Sequence, residues 1–148
     1  MDRIIKPLTQ MGAVIKSKAG SLPIRIEKSK GLKPIDYSKP IVSAQIKSAI
    51  IIASIKTKGI TTIHEKYKSR DHTEIMLQSF DANIKIEKIN LEKHISVSGK
   101  KELSSKDISV PSDLSSAAFF IVAALINKSS HIKLDNINLN PTRDGILK

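Results

Sequence analysis

The sequence predicts an α+β fold built from repeated strand-helix-strand-helix-strand-strand (βαβαββ) units, of which the last is incomplete. Two observations support this fold class. Apolar residues switch along the chain between the helical period and the two-residue alternation of strands. In addition, two stretches offset by about 72 residues resemble each other in residue identity and in the order of predicted elements. We therefore expect duplicated units that pack side by side.

The segment before residue 40 is predicted to hold one helix and three strands. Apolar residues recur at helical spacing from Ile4 to Met11, and Gly12 follows where a left-handed helix end is favoured. Alternating apolar and polar residues then predict three strands. These strands cover residues 13–17, 22–27 and 32–35.

Two helices are predicted in the next segment. The longer one covers residues 44–58, begins after Ser43 and ends at Gly59. The shorter one covers residues 71–80. Its expected apolar face consists of Ile75, Met76 and Phe80. Strands are predicted over residues 60–65, 84–88 and 95–98, which completes one βαβαββ unit.

The same order of elements begins again after residue 106. A strand at residues 107–110, a helix at 114–127, a strand at 131–134 and a helix opening at 142–144 are predicted. In this alignment Ser43 falls on Ser115, and Arg70 falls on Arg143. We expect residues 33–77 and 107–148 to superpose, and we expect the chain to be a fragment of something longer or to dock on a missing partner.

Composition excludes several classes of protein. The 148 residues contain no cysteine, which excludes disulfides, cysteine-bound zinc and a thiol nucleophile. The longest apolar run, residues 117–126, is too short to span a membrane, and the sequence starts without an apolar signal segment. We expect a soluble, cytoplasmic protein.

The net charge of +11 is compatible with three interpretations. It fits a nucleic-acid-binding surface, a basic pocket for a phosphorylated small molecule, or lysines on solvated faces. Most of the charge is lysine placed singly between apolar residues, and only two Tyr and three Phe are available for base stacking. Solvated faces are therefore the favoured interpretation.

Two helix starts carry candidate binding residues. Ser43, Ala44 and Gln45 place a hydroxyl, free N–H groups and an amide at the positive end of a helix, which suits a phosphate. Serine is also a common helix cap, so capping stays open as the alternative. Arg70 stands at the start of the next helix, where the helix dipole disfavours a cation. Its side chain either pairs with neighbouring acidic residues or makes bidentate hydrogen bonds to an anionic ligand.

The remaining polar residues give weaker signals. Asp113 precedes Ser115 and Ser116 and is predicted to cap the helix at 114–127. The histidines share no metal-ligand spacing, and we assign none of them to a metal. These histidines are His64, His72, His94 and His131. No Gly-rich phosphate loop and no Ser-His-Asp arrangement can be argued from the sequence.

Four segments together resemble the enolpyruvyl transferase family, and within it the EPSP synthases (3-phosphoshikimate 1-carboxyvinyltransferases). The first two are Ser43-Ala44-Gln45-Ile46-Lys47-Ser48-Ala49 and Ser69-Arg70-Asp71-His72-Thr73-Glu74. The other two are Val110-Pro111-Ser112-Asp113-Leu114-Ser115-Ser116-Ala117-Ala118-Phe119 and Leu139-Asn140-Pro141-Thr142-Arg143-Asp144-Gly145. The resemblance covers nearly the whole chain, although family members are roughly three times longer.

The resemblance implies a two-lobed enzyme of the inside-out α/β barrel, or prism, type. Residues 1–106 would hold the end of one βαβαββ unit and one complete unit of the first lobe. Residues 107–148 would begin the second lobe with a truncated unit. The family transfers the enolpyruvyl group of phosphoenolpyruvate to the 5-hydroxyl of shikimate 3-phosphate, in aromatic amino acid biosynthesis, without a metal or organic cofactor, and it is the target of glyphosate.

The resemblance also implies roles for six residues. Ser43 and Ala44 would hold shikimate 3-phosphate, Gln45 would reach both substrates, and Arg70 would bind the phosphate of shikimate 3-phosphate. Asp113 and Arg143 would be structural, near the crossing between lobes. The catalytic residues would lie on segments outside this chain, so we expect the 148 residues alone to be inactive.

The sequence departs from the family pattern at two positions, and two rival functions stay open. Ser112 stands where the family usually has Gly, and Asp144 where it usually has Thr. The rival functions are a transferase acting on UDP-N-acetylglucosamine and a basic, non-enzymatic nucleic-acid-binding domain. We expect neither nucleic acid nor membrane as a partner.

Overall fold

The computed structural model describes residues 1–38, 43–99 and 102–148. The chain forms two compact units, Met1–Lys106 and Asp107–Lys148. The described helices are α1 (Asp2–Gln10), α2 (Ala44–Ser54), α3 (His72–Ser79) and α4 (Leu114–Ile126). The described strands are β1 (Val14–Lys18), β2 (Ser21–Glu27), β3 (Asp36–Tyr37), β4 (Ile60–Glu65), β5 (Asn83–Ile89) and β6 (Glu92–Ser98). None of the described helices has both the length and the apolar character that crossing a membrane requires.

The first unit begins with α1 and an antiparallel pair of strands. α1 ends just before Gly12, whose φ of +98° is the left-handed conformation predicted for a helix end. β1 and β2 then pair antiparallel. The predicted helix and the first two predicted strands are confirmed within two residues at each end.

A four-stranded sheet with the order β3-β4-β6-β5 follows. β3 runs parallel to β4, whereas β6 pairs antiparallel with both β4 and β5. The chain order of these elements is β3-α2-β4-α3-β5-β6, which is the predicted βαβαββ unit. The fold class is therefore confirmed as mixed α+β.

A two-residue turn joins β5 to β6. Ile89 pairs with Glu92, and the loop residues Asn90 and Leu91 have φ values of +48° and +70°. Positive φ at both loop positions matches the right-handed twist of the flanking strands. The hairpin therefore has its register fixed by local backbone geometry.

The hydrophobic core of the first unit lies between α2, α3 and the inner face of this sheet. Side-chain burial alternates along β4: Thr61, Ile63 and Glu65 are buried, whereas the residues between them are more exposed. The core residues are Met11, Ile35, Tyr37, Ile50, Ile51, Ile63, Leu77, Ile84, Ile95 and Val97.

Three predictions for the first unit are wrong in detail. The strand predicted at residues 32–35 lies at Asp36–Tyr37, because Pro34 has no N–H to donate to a ladder. α2 ends at Ser54 rather than Lys58, and the chain continues to Gly59 (φ +114°) through short turns such as Thr57 N–H to Ser54 carbonyl, 3.0 Å.

The third error concerns the buried face of α3. Ile75 and Met76 were expected to face the core, yet 54% and 43% of their surfaces are exposed. Glu74 and Leu77 are buried instead. The helix is rotated relative to its hydrophobic pattern because Glu74 pairs with a buried cation of α2.

The second unit consists of α4 and the extended segments on either side of it. The strands predicted at residues 107–110 and 131–134 are wrong, since Ser112 and Ile137 make only a single parallel bridge. Ser112 N–H donates to the Asn136 carbonyl at 2.7 Å, and Asn138 N–H donates to the Ser112 carbonyl at 2.9 Å. The helix predicted to open at residue 142 is a single 3-10 turn, Gly145–Leu147.

The two units share one topological feature. In each of them the segments before and after a long helix pair in parallel, Asp36 with Thr62 and Ser112 with Ile137. Duplication predicts this shared order, in which a helix connects two segments that pair in parallel. Superposition of residues 33–77 on 107–148 stays a prediction.

Candidate functional site

A cavity of about 390 Å³ opens where the start of α2 meets the loop before α3. Three of the four predicted binding residues, Ala44, Gln45 and Arg70, line it. The other lining residues are Ser48, His72 and Thr73. The fold therefore brings together two segments that are about 25 residues apart in the chain.

The N-terminus of α2 supplies hydrogen-bond donors to this cavity. Ser43 occupies the N-cap position with extended backbone (φ −115°, ψ 114°), and its carbonyl accepts from the N–H groups of Ile46 and Lys47. The first amides of a helix have no partner within the helix, and the macrodipole places partial positive charge there. In the described part of the chain, the Ser43 side chain makes no capping bond, so the capping interpretation is not realised.

Arg70 lies in the loop between β4 and α3 and is exposed. Among the residues that the structure describes, no carboxylate lies within ion-pair distance of its guanidinium. The structural alternative, an arginine tied to neighbouring acids, is therefore not observed. A planar guanidinium in this position is able to make two parallel hydrogen bonds to a phosphate or carboxylate.

Gln45 is exposed at the same cavity. Its side-chain Oε1 accepts a hydrogen bond from Arg3 Nη2 of α1 at 3.2 Å. No sequence signal singled out Arg3, because only the tertiary fold brings α1 beside α2. Arg3 adds a second guanidinium near Gln45 and so strengthens the positive character of the surroundings.

A hydroxyl pair fixes the two walls of the cavity to each other. Ser48 Oγ and Thr73 Oγ1 are 2.6 Å apart, and they join the second turn of α2 to the first turn of α3. Both residues line the cavity. The distance between Gln45 and Arg70 is therefore set by packing of helices rather than by loops alone.

The two helices that line the cavity also carry two members of a group that we call the buried charge cluster, which consists of Lys47, Glu65 and Glu74. The side chains of Lys47 and Glu74 are 0% exposed, and that of Glu65 is 2% exposed. Lys47 Nζ lies 3.0 Å from Glu65 Oε1 and 2.7 Å from Glu74 Oε1. Within the described residues, the Glu74 carboxylate accepts no well-aligned hydrogen bond, and ion pairs with lysines are the contacts that offset its charge.

The cluster connects every element that builds the cavity. Lys47 belongs to α2, Glu65 ends β4, and Glu74 lies in the first turn of α3. The Ser69 hydroxyl, next to Arg70 in the chain, donates to Glu65 Oε1. Lys93 of β6 approaches Glu65 and Glu74 at 3.9 and 3.7 Å. No sequence signal indicated that Lys47 is buried, so this cluster is a finding of the structure.

Asp113 and Arg143 both contact the start of α4 in the second unit. The Asp113 carboxylate accepts from the Ser116 N–H and from the Ser116 hydroxyl, each at 3.1 Å. Arg143 Nη2 donates to the Ser115 hydroxyl. The pKa of the Asp113 carboxyl is held below its usual value. The main cause is hydrogen bonding from the backbone N–H groups of Ser115 and Ser116, and the positive charge of Arg143 adds a smaller effect.

Acid should therefore release the cap of α4. Because the folded-state pKa of Asp113 is lowered, its stabilisation is present above the unfolded value of about 3.9 and is lost as the pH falls through the folded-state pKa. We expect the amide chemical shift of Ser116 to titrate below pH ~4. In Asp113→Asn the acceptor is retained but does not ionise, so the shift should stay constant; an identical titration in both proteins would contradict this role.

Comparison with known proteins identifies the same relatives throughout. A family model described as EPSP synthase (3-phosphoshikimate 1-carboxyvinyltransferase) matches residues 1–148. The 3-phosphoshikimate 1-carboxyvinyltransferase of Listeria monocytogenes serovar 1/2a is 47% identical over 148 residues, which is 99% of this chain and 34% of the relative. That of Caldicellulosiruptor bescii is 49% identical over 149 residues, again 99% and 34%.

Solved structures give the same result. EPSP synthase from Acinetobacter baumannii superposes with a TM-score of 0.83 at 42% sequence identity. The match covers 99% of this chain and 33% of that chain. The chain thus spans about a third of the length of the relatives that it matches.

Proposed function

Because this chain belongs to the EPSP synthase family, we propose that its α2–α3 cavity forms part of the shikimate 3-phosphate site of a 3-phosphoshikimate 1-carboxyvinyltransferase. That enzyme moves the enolpyruvyl group of phosphoenolpyruvate to the 5-hydroxyl of shikimate 3-phosphate and releases phosphate. In the reaction the carbon–oxygen bond to the phosphate of phosphoenolpyruvate is replaced by a bond to the 5-oxygen.

The observation that carries this proposal is the meeting of Ala44, Gln45 and Arg70 at one cavity. Its volume of about 390 Å³ is suited to a small molecule. The positive end of α2 and the guanidinium of Arg70, which pairs with no carboxylate among the described residues, converge on it, and both favour an anion. Ser43 and Ala44 would hold the shikimate 3-phosphate, Gln45 would reach both substrates, and Arg70 would bind the phosphate group.

The same proposal assigns Asp113 and Arg143 a structural role. Both act on the first turn of α4, where Asp113 caps the helix and Arg143 contacts Ser115. A helix start held in this way fixes the course of the chain at the beginning of the second unit. The assignment of residues 1–106 and 107–148 to successive lobes belongs to this proposal as well.

Neither rival function is favoured. A UDP-N-acetylglucosamine transferase is less consistent with relatives that carry the 3-phosphoshikimate 1-carboxyvinyltransferase name at 46–49% identity. A nucleic-acid-binding domain would use its positive charge on an open surface, whereas Arg70 lies at a cavity. A cytoplasmic location is expected from the composition. The family resemblance adds the expectations of a reaction without a cofactor and of membership in a family that glyphosate targets.

Titration of shikimate 3-phosphate into the 148-residue chain tests the proposal. We expect weak, saturable binding that perturbs the backbone amides of Ala44 and Gln45, and little binding of shikimate, which lacks the phosphate. Without the remaining reactive groups the chain should release no phosphate from phosphoenolpyruvate. Equal affinity for shikimate, or tighter binding of duplex RNA that weakens steeply with salt, would contradict the proposal.

Gln45→Ala separates a binding role from a structural role. Loss of one uncharged hydrogen bond should weaken shikimate 3-phosphate binding about two- to tenfold. Because Gln45 is exposed and its hydrogen bond with Arg3 is also exposed, the melting temperature should change little. Gln10→Ala, at the exposed end of α1, is the matched control and should change neither quantity. Equal effects of the two substitutions on binding would rule out a specific contact by Gln45.

A further inference from the structure

Two histidines meet on the outer face of the four-stranded sheet, the face opposite the hydrophobic core. His64 of β4 and His94 of β6 are direct partners in the antiparallel register. Their ring centroids are 4.4 Å apart, with an angle of 72° between the ring planes. Glu92 precedes His94 by two residues, so strand alternation places it on the same face.

These three side chains form a set of metal donors. One ligand atom from each of His64, Glu92 and His94 lies within 4.8 Å of the other two. All three residues are partly exposed, so an ion has access from solvent. Among the described residues this is the group that meets the geometric requirement for a metal site. It was not evident from the sequence, because His64 lies about 30 positions before Glu92 and His94.

We propose that His64, Glu92 and His94 bind a zinc ion. Two imidazoles and one carboxylate are a donor set that Zn²⁺ accepts with a water in the fourth position, whereas Mg²⁺ and Ca²⁺ favour all-oxygen sites. Tetrahedral bonds of about 2.0–2.1 Å place ligand atoms about 3.4 Å apart. Closing from 4.8 Å to that separation needs only side-chain rotation, since β4 and β6 are held in register from Ile60–Ser98 to Glu65–Lys93.

Asp36 provides a carboxylate that hydrogen-bonds to one of the proposed histidine ligands. Its Oδ1 lies 2.8 Å from His64 Nε2. An Nε2–H that donates to this carboxylate leaves the lone pair of the other ring nitrogen available for the metal. Asp36 therefore orients His64 and selects its tautomer, in addition to contributing a nearby negative charge.

The surroundings balance the charge of the ion. A cavity of about 300 Å³ next to the site is lined by Ser38, His64, Lys66 and Glu92. The positive charge of Lys66 would repel a cation at this site, but its side chain is exposed and can extend into water. Glu92 and Asp36 together offset the two charges of Zn²⁺, so binding requires no further carboxylate.

Calorimetric titration of Zn²⁺ alone into the metal-free 148-residue chain tests the site. We expect one ion per chain and a higher melting temperature with Zn²⁺ than with Mg²⁺. His94→Ala and Glu92→Gln should each weaken Zn²⁺ binding at least tenfold, and Asp36→Asn by about 10- to 100-fold. His131→Ala, an exposed histidine of the second unit, is the matched control and should bind as the unchanged chain does.

The outcomes are separable. Unchanged affinity in His94→Ala, or an equal loss in His131→Ala, would overturn the site. Should His94→Ala fail to fold by circular dichroism, Glu92→Gln and His64→Gln preserve side-chain volume, and full Zn²⁺ affinity in both would likewise overturn it. The experiment contains no shikimate 3-phosphate, so its failure leaves the proposed function unaffected.

Discussion

Replacement of Lys47 by methionine is expected to lower the free energy of unfolding of the first unit by about 3–5 kcal/mol. The substitution removes the cation of the buried charge cluster and leaves the carboxylates of Glu65 and Glu74 in a site with almost no solvent. Glu74 loses the most, because its carboxylate has no aligned hydrogen bond in the described part of the chain. A loss of this size is comparable with the whole stability of many small domains.

Replacement of the complete cluster gives the decisive control. The triple variant Lys47→Met, Glu65→Leu, Glu74→Leu removes all three buried charges, and it should recover most of the lost stability because no desolvated charge is left unpaired. Lys85→Met, which breaks the exposed Lys85–Glu87 pair on β5, should cost at most about 1 kcal/mol. Chemical denaturation measures all three. A Lys47→Met chain as stable as Lys85→Met would show that the cluster does not hold the unit together.

Substitution of Arg70 by lysine is expected to weaken shikimate 3-phosphate binding about tenfold to hundredfold. A guanidinium that makes two parallel bonds to a phosphate is not replaced by the point charge of an ammonium group, and bonds to charged groups contribute roughly 1.5–3 kcal/mol. Because Arg70 is exposed, the melting temperature should change little. Isothermal titration and thermal unfolding of the same samples measure the two effects.

Arg25→Lys is the matched control for Arg70→Lys. Arg25 lies on β2, is exposed, and pairs with Glu27 at 3.5 Å. Its replacement keeps the same net charge as Arg70→Lys, so any difference between the variants arises from position and geometry. Unchanged affinity in Arg70→Lys together with a lowered melting temperature would instead assign Arg70 a structural role.

Local signals in the sequence were sufficient for most of the first unit. The Thr and Ile content of residues 60–65 predicts β4 correctly, and Gly12 marks the end of α1 because it adopts positive φ. Motif resemblance also selected Ala44, Gln45 and Arg70, which the structure brings to one cavity. These are properties of single segments, or of segments that a family motif ties together.

Features that depend on contacts between segments could not be predicted. The burial of Lys47 is invisible in the pattern of α2, where a lysine between apolar residues indicates solvent exposure. The rotation of α3 toward Glu74 follows from that same ion pair. The contact of His64 with His94 depends on the register of β4 against β6, and the strands predicted around α4 depend on pairing partners that the second unit does not supply.

The two-residue turn at Asn90 and Leu91 has a consequence for the order in which the first unit assembles. Within the four-stranded sheet, closing this turn brings β5 and β6 together at a small cost in loop entropy, whereas pairing Asp36 with Thr62 must first close about 25 residues of chain. We expect the hairpin to nucleate folding, β4 to add to it, and β3 to join last. The binding cavity needs α2 and α3 docked on that completed sheet, so ligand-binding competence should be the slowest property to appear during refolding.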